Sequence, residues 1–344
     1  MQEFNFNEPP PRVDQPEPLP FPFNQRPFCR YENIEKRVAS VRVLVVNCLL
    51  RWESDVSDVA RAELGAKLAR QLERERYISE LAANNILGNI RRLVERPETE
   101  VVHLSEVAEA AERFRPDAIV LSGTLSDFDY YNPQVIEDFG RFIRTTRTPV
   151  LGICGGHQLV GMCFGARVVT LAEGREPAER REGRSFEYQY RFVKITDPDD
   201  PIFRGVKDPD SGVWQDYTVE GRTLRVWQNH GLQLDRVPEG FRMLATSYLC
   251  RNQMMVRRAE GQLIYAVQFH LEKSFQDLSR GHARRLNPNL PREVRKRMLR
   301  EEAESRTRWE HQNESRDGRA IFENFLREAL QHVAASGAEA NART

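Results

Sequence analysis

The chain has 344 residues, and its 51 Lys and Arg balance 51 Asp and Glu, so the formal net charge is zero. That length can bury a sizeable core, as one large α/β domain or two smaller ones. The neutral balance gives no general electrostatic reason to expect nucleic acid or an anionic membrane as a partner. The five cysteines are odd in number and contain no C-x-x-C pair, so neither a disulfide framework nor a metal site is expected. No basic-then-apolar leader and no apolar run near the roughly 20 residues of a membrane helix is present. A soluble, cytoplasmic protein without metal or cofactor is expected.

Residues 1–37 are proline-rich, with Pro9-Pro10-Pro11 followed by Pro16, Pro18, Pro20, Pro22 and Pro27. Proline fixes φ and removes donors, so this stretch reads as a disordered arm. Val41 to Cys48 is a β-branched, nearly continuous apolar run, the pattern of a strand buried on both faces. Helical periodicity covers about 55–95. Strands are expected at 100–104, 117–123 and 149–153, with helices at about 105–114 and 133–146 between them. Alternating strands and helices predict a mostly parallel central sheet in a three-layer α/β sandwich.

The second half changes character. Residues 188–196, 224–228, 241–247, 254–258 and 263–269 read as strands with few helices between them, and Ala259-Glu260-Gly261 is a hairpin turn. Some antiparallel pairing follows. A charged helix is expected from Pro291 to about Glu310 and a closing amphipathic helix over 321–333. The reading is one domain over 38–335, with charged helical insertions at about 51–85 and 276–318 and a disordered tail at 336–344. The basic cluster in the second insertion (Arg284-Arg285, Arg292, Arg295, Lys296-Arg297, Arg300) reads as a solvated, ion-paired helix or a protein-docking surface.

The strongest local signal is Gly152-Ile153-Cys154-Gly155-Gly156-His157-Gln158. It lies where a buried strand ends and a helix begins. A nucleophile on such a corner needs neighbouring glycines, because side chains would clash there. The helix starting at Gly155 points free N–H groups at the sulfur, which favours thiolate over thiol and can hold a developing oxyanion. A lone cysteine in a glycine-rich turn is more often a core residue, but the strand-to-helix corner reverses that preference. Gln268-Phe269-His270-Leu271-Glu272 supplies a base. His270 can exchange a proton near neutral pH, and Glu272 can accept its other N–H and fix the tautomer.

Together these segments resemble the nucleophile and histidine motifs of class I (triad-type) glutamine amidotransferases, the ammonia-producing domains of GMP synthetase, carbamoyl phosphate synthetase and relatives. Val226-Trp227-Gln228-Asn229-His230-Gly231-Leu232 is similar to a third family segment. The resemblance covers roughly residues 40–275 and the final helix. It implies a flavodoxin-like sandwich and a Cys154–His270–Glu272 triad that hydrolyses the glutamine side-chain amide through a thioester. Gln158, Asn229, Gly231 and Leu232 would hold the amino-acid end of glutamine. His157 and His230 would be structural, and Cys48 and Cys163 packing residues.

Two departures stand out. The family's oxyanion loop is rich in glycine and proline, whereas here it reads Gly123-Thr124-Leu125-Ser126-Asp127. Gly123, Thr124 and Gly155 are the expected oxyanion donors. Leu271 replaces the usual proline between histidine and glutamate. No G-x-x-x-x-G-K loop is present, so ammonia is expected to pass to a separate synthetase or acceptor protein. Two alternatives stay open: a γ-glutamyl peptidase or hydrolase using the same triad, or a non-catalytic regulatory subunit of the same fold.

Overall fold

The computed structural model describes residues 35–206, 223–272 and 316–342. Most of the proline-rich arm and the charged helix expected at 291–310 lie outside the described residues.

The first strand, β1 (Val38–Asn47), shows why a buried strand reads as an unbroken apolar run. Successive side chains point to opposite faces. Val43 and Val45 enter one core with Val120, Leu151, Ile153 and Tyr265. Leu44 and Val46 enter a second with Ile119, Leu121, Val150 and Ile264. Both faces are covered, so both alternations must be apolar.

The connection after β1 folds into α1 (Asp58–Leu64) and a 26-residue helix, α2 (Leu68–Leu93). Ser57 caps α1 by accepting the Ala60 N–H, which satisfies one of the helix's orphan donors. The chain then enters β2 (Val94–His103), α3 (Val107–Phe114), β3 (Ala118–Leu121), α4 (Pro133–Thr145), β4 (Val150–Ile153) and α5 (Gly155–Cys163). β2 starts six residues before the expected strand. It forms an edge of the sheet, where Pro97 and alternating charges are tolerated because one side of its backbone has no partner.

The second half supplies β5 (Val168–Thr170), β6 (Glu187–Ile195), β7 (Thr223–His230), β8 (Leu232–Leu234), β9 (Arg242–Thr246), β10 (Met254–Ala259) and β11 (Gln262–Val267). The main sheet runs β2-β1-β3-β4-β11-β10-β9-β6-β7. From β2 to β11 neighbours are parallel, and from β11 to β7 they are antiparallel. The short strands β5 and β8 form a separate antiparallel pair. The antiparallel half returns on itself: Trp227 of β7, the last strand in that order, bridges to His270 just beyond β11.

The final helix, α6 (Arg316–Ala342), extends past both ends of the expected 321–333. It enters the stretch read as a tail, where Ala334, Ala335, Ala338, Ala340 and Ala342 favour helix. Ile321, Phe322, Phe325 and Ala329 pack it beside Ile86 and Ile90 of α2 in the first core. Residues from α3, α4 and α5 join the second. The result is three layers, as the alternation of elements implied. No helix of the described residues is long and apolar enough to cross a membrane.

Candidate active site

Strand register alone brings Cys154 beside the histidine segment. β4 pairs in parallel with β11, Ile153 opposite Val267, and the Cys154 N–H donates to the Val267 carbonyl at 2.7 Å. The next residue on each strand therefore emerges at the same end of the sheet. Open α/β sheets place their sites there, at the carboxyl ends of parallel strands.

Cys154 has φ +52° and ψ −106°. A non-glycine residue in this half of conformational space carries strain of roughly 1–3 kcal/mol and persists only where its surroundings enforce it. Here the enforcement is visible. A side chain at Gly152 would meet the Gly156 carbonyl at 2.8 Å, and one at Gly156 would meet Leu121 Cβ and the Ser122 carbonyl at 2.9 Å. The corner closes only because those positions lack a Cβ. The first turn of α5 is completed by the Gln158 N–H donating to the Cys154 carbonyl at 3.1 Å.

Gly123 follows β3 by two residues and lies near the side chains of both Cys154 and His270. A Cβ built there would stand 3.9 Å from Cys154 Sγ and 3.5 Å from His270 Cε1. His270 Nδ1 donates to Glu272 Oε1 at 2.7 Å, and all three side chains of Cys154, His270 and Glu272 are buried. Burial alone would lower the His270 pKa. The charges of Glu272 and Cys154, together with the hydrogen bond to Glu272, outweigh it and push the imidazole up to about 10. The ring itself is held by its backbone, whose N–H donates to the Trp227 carbonyl at 2.8 Å. Asn89 of α2 donates to the Glu272 carbonyl at 2.7 Å.

The loop after β3 is anchored by side chains from distant segments. Ser126 Oγ donates to Glu75 Oε1 of α2 at 2.6 Å. Burial raises the Glu75 pKa, against the lowering effect of hydrogen bonds from Ser126, Gln71 and Leu50. Asp127 is gripped by Arg184, whose Nη1 lies 2.7 Å from Oδ1 and whose Nη2 reaches Oδ2, and by Arg181 Nη1 at 2.8 Å. Arg181 also pairs with Glu63 and Asp129. Thr124 packs directly on Gly155: a Cβ on Gly155 would fall 2.1 Å from Thr124 Oγ1 and 2.5 Å from its backbone nitrogen.

The remaining expected site residues fall around this centre. Gln158 is buried, and its Nε2 donates to the Leu232 carbonyl and to Gln268 Oε1, both at 3.1 Å. Leu232 and Gly231 are buried, Asn229 is exposed, and the ring of Phe186 covers Gly231. His157 is fully buried, and burial lowers its pKa to about 3, which keeps it neutral. The thiols of Cys48 and Cys163 are each pushed up to about 12, chiefly by burial.

Two features were not foreseen from sequence. Gln268 points its Nε2 at Cys154 Sγ, 3.7 Å away. Its position two residues before His270 was a usable signal, since alternate residues of a strand share a side. Cys250 also has a polar context: Glu187, His230 and Cys250 are buried with ligand-type atoms within 4.8 Å of one another. Those donor types suit zinc, but the polar atoms are already paired. His230 contacts the Leu232 carbonyl, Gln228 Oε1 and Glu187, and Glu187 accepts from Ser247 and Gln253. The cluster reads as a hydrogen-bonded network.

The chain belongs to the class-I glutamine amidotransferase family, whose model matches residues 83–280. It is 31% identical over 176 residues to a subunit of the glutamine-hydrolyzing GMP synthase of Thermococcus kodakarensis, covering 51% of this chain and 76% of that one. It is 34% identical over 178 residues to the glutamine-hydrolyzing GMP synthase of Ralstonia pickettii, of which it spans 28%. Among solved structures, a provisionally assigned GMP synthase subunit from Thermoplasma acidophilum superposes with a TM-score of 0.52 at 20% identity, over 86% of this chain and 98% of that one. That likeness speaks for the fold alone.

Proposed function

We propose that this protein hydrolyses the side-chain amide of glutamine through a Cys154 thioester and delivers ammonia to a separate acceptor enzyme. The observation that carries the reading is the strained Cys154 corner with the His270–Glu272 pair across Gly123. Membership of the family supports it, as do relatives named as glutamine-hydrolyzing synthase subunits.

In this reading the Cys154 sulfur forms a bond to the glutamine side-chain carbonyl carbon, and negative charge moves onto the carbonyl oxygen. N–H groups of Gly155 and of Gly123 or Thr124 receive that charge. As the tetrahedral species collapses, the C–N bond breaks and His270 gives its Nε2 proton to the departing nitrogen, which leaves as ammonia. Water then adds to the thioester while His270 takes back a proton. The C–S bond breaks, and glutamate leaves. Glu272 keeps the proton on Nδ1 throughout, so Nε2 faces the sulfur. Asn229, Gly231 and Leu232 border the amino-acid end of the substrate. Gln158 orders that wall through its bond to the Leu232 carbonyl.

The test is modification by a glutamine-analogue electrophile. Labelling at Cys154 that disappears in Cys154→Ala, with ammonia released from glutamine in preference to γ-glutamyl peptides, is the expected result. Turnover of the peptides alone overturns the substrate. Absence of labelling, with or without a synthetase partner, overturns the nucleophile.

A further inference from the structure

We infer that Gln268 is a catalytic residue: its carboxamide N–H donates to the Cys154 thiolate, a second donor to the sulfur beside His270. The inference rests on the reading of Cys154 as the nucleophile and adds a group that the triad does not include.

The Nε2 of Gln268 lies 3.7 Å from Cys154 Sγ, and the side chain is fully buried. Carboxamide oxygen and nitrogen are assigned from their partners, and here the assignment has a fixed starting point. The Leu232 carbonyl can only accept, so the Gln158 atom 3.1 Å away from it must be nitrogen. The same nitrogen lies 3.1 Å from Gln268 Oε1. One amide hydrogen serves each partner, so both are spent. Turning the Gln268 amide over would bring two NH2 groups together at one end and set an oxygen against an anionic sulfur at the other. The amide is thereby held with a donor toward Cys154.

The mounting is equally constrained. The Gln268 backbone N–H donates to the Gln253 carbonyl at 2.8 Å, and the parallel pairing of β4 with β11 fixes how near residue 268 comes to residue 154. A donor placed at a charged acceptor favours the charged form. Gln268 therefore stabilises the sulfur while it is charged. It neither gains nor loses a proton, and its contact weakens as the sulfur's charge passes into the new C–S bond.

The test is the pH dependence of Cys154 alkylation by iodoacetamide in the full chain, read at the Cys154 peptide by mass spectrometry. Gln268→Leu removes the donor, and Gln268→Glu keeps its shape while substituting a carboxylate. The alkylation midpoint is expected to move up by about one pH unit in Gln268→Leu, and further in Gln268→Glu. Gln158→Leu, which leaves Gln268 in place but frees its amide to turn, is expected to give a smaller shift in the same direction. A purely structural role lowers thermal stability or scales the rate equally at every pH. Unmoved midpoints in the folded variants overturn the proposal. If wild-type Cys154 resists alkylation altogether, the nucleophile reading itself fails and takes this role with it.

Discussion

Replacing Gly155 with alanine should damage the centre out of proportion to one methyl group. The added carbon would lie 2.1 Å from Thr124 Oγ1, 2.5 Å from Thr124 Cγ2 and 2.5 Å from the Thr124 backbone nitrogen. The side-chain atoms can rotate away, but the nitrogen cannot. To restore ordinary contact, the Thr124 backbone must retreat by about 1 Å. Ser126 and Asp127 resist that retreat through Glu75, Arg181 and Arg184. Forcing one extra carbon into such packing costs about 1–3 kcal/mol, a drop of several degrees in thermal midpoint for a domain of this size. The same displacement moves Thr124, an expected oxyanion donor, and loss of one such donor costs about 10²–10³ in kcat. The assay is ammonia release from glutamine, with kcat and KM separated, alongside thermal unfolding. KM should change little, and Thr124→Gly in the Gly155→Ala background should restore little of kcat, because the contact with the Thr124 backbone nitrogen remains. Gly155→Ala with kcat within about twofold of wild type and an unmoved midpoint, the behaviour of an ordinary surface substitution, would refute the reasoning.

Glu272→Gln removes the charge that does most to raise the His270 pKa. The alkaline limb of the glutaminase pH profile should move to lower pH, and kcat should fall by about 10²–10⁴ by analogy with loss of the carboxylate in other triads. An unmoved alkaline limb would dissociate Glu272 from the imidazole. Arg184→Ala leaves Asp127 with Arg181 as its remaining cationic partner. Because Arg184 and Asp127 are mostly buried, the expected loss is about 2–3 kcal/mol in denaturant unfolding, between the values for surface and fully buried pairs. A double-mutant cycle with Asp127→Asn should show coupling above about 1 kcal/mol. Glu75 has a raised folded pKa, so the folded state holds a proton that the unfolded state releases. Stability should therefore decline as pH rises from the unfolded carboxylate value toward the folded one. Glu75→Gln should flatten that decline, measured as thermal midpoint against pH.

The candidate site residues were legible because the backbone writes its needs locally. A corner that tolerates no Cβ at 152, 155 and 156 has to be spelled with glycine, and strands buried on both faces have to be spelled with valine, leucine and isoleucine. The pairing of Cys154 with His270 was expected from family resemblance, whereas the β4–β11 register that brings their segments together was not read from the sequence. Short or polar elements were not legible. β5 and β8 have three residues each, too few for periodicity, and the start of β2 was masked by the charges and proline an edge strand tolerates. The loop anchors were hidden for another reason. Glu75, Ser126, Asp127 and Arg184 come together only in the folded chain, and each alone reads as a solvated charge or hydroxyl. The stretch at 51–85 read as a charged insertion, yet α2 steadies the loop after β3 through Glu75, while Asn89, four residues beyond that stretch, holds Glu272.

The His270 backbone carries a second tether besides its own strand. Cys154 closes a strand in the parallel half of the sheet, whereas the His270 main chain is tethered to the outermost antiparallel strand through the Trp227 carbonyl. Residue 270 is thus tied both to β11, the parallel neighbour of β4, and to the far end of the strand order. In the proposed mechanism, a displacement of β7 that shifts residue 270 would stop the reaction while β4 and β11 stayed paired, so control would require no melting of the scaffold.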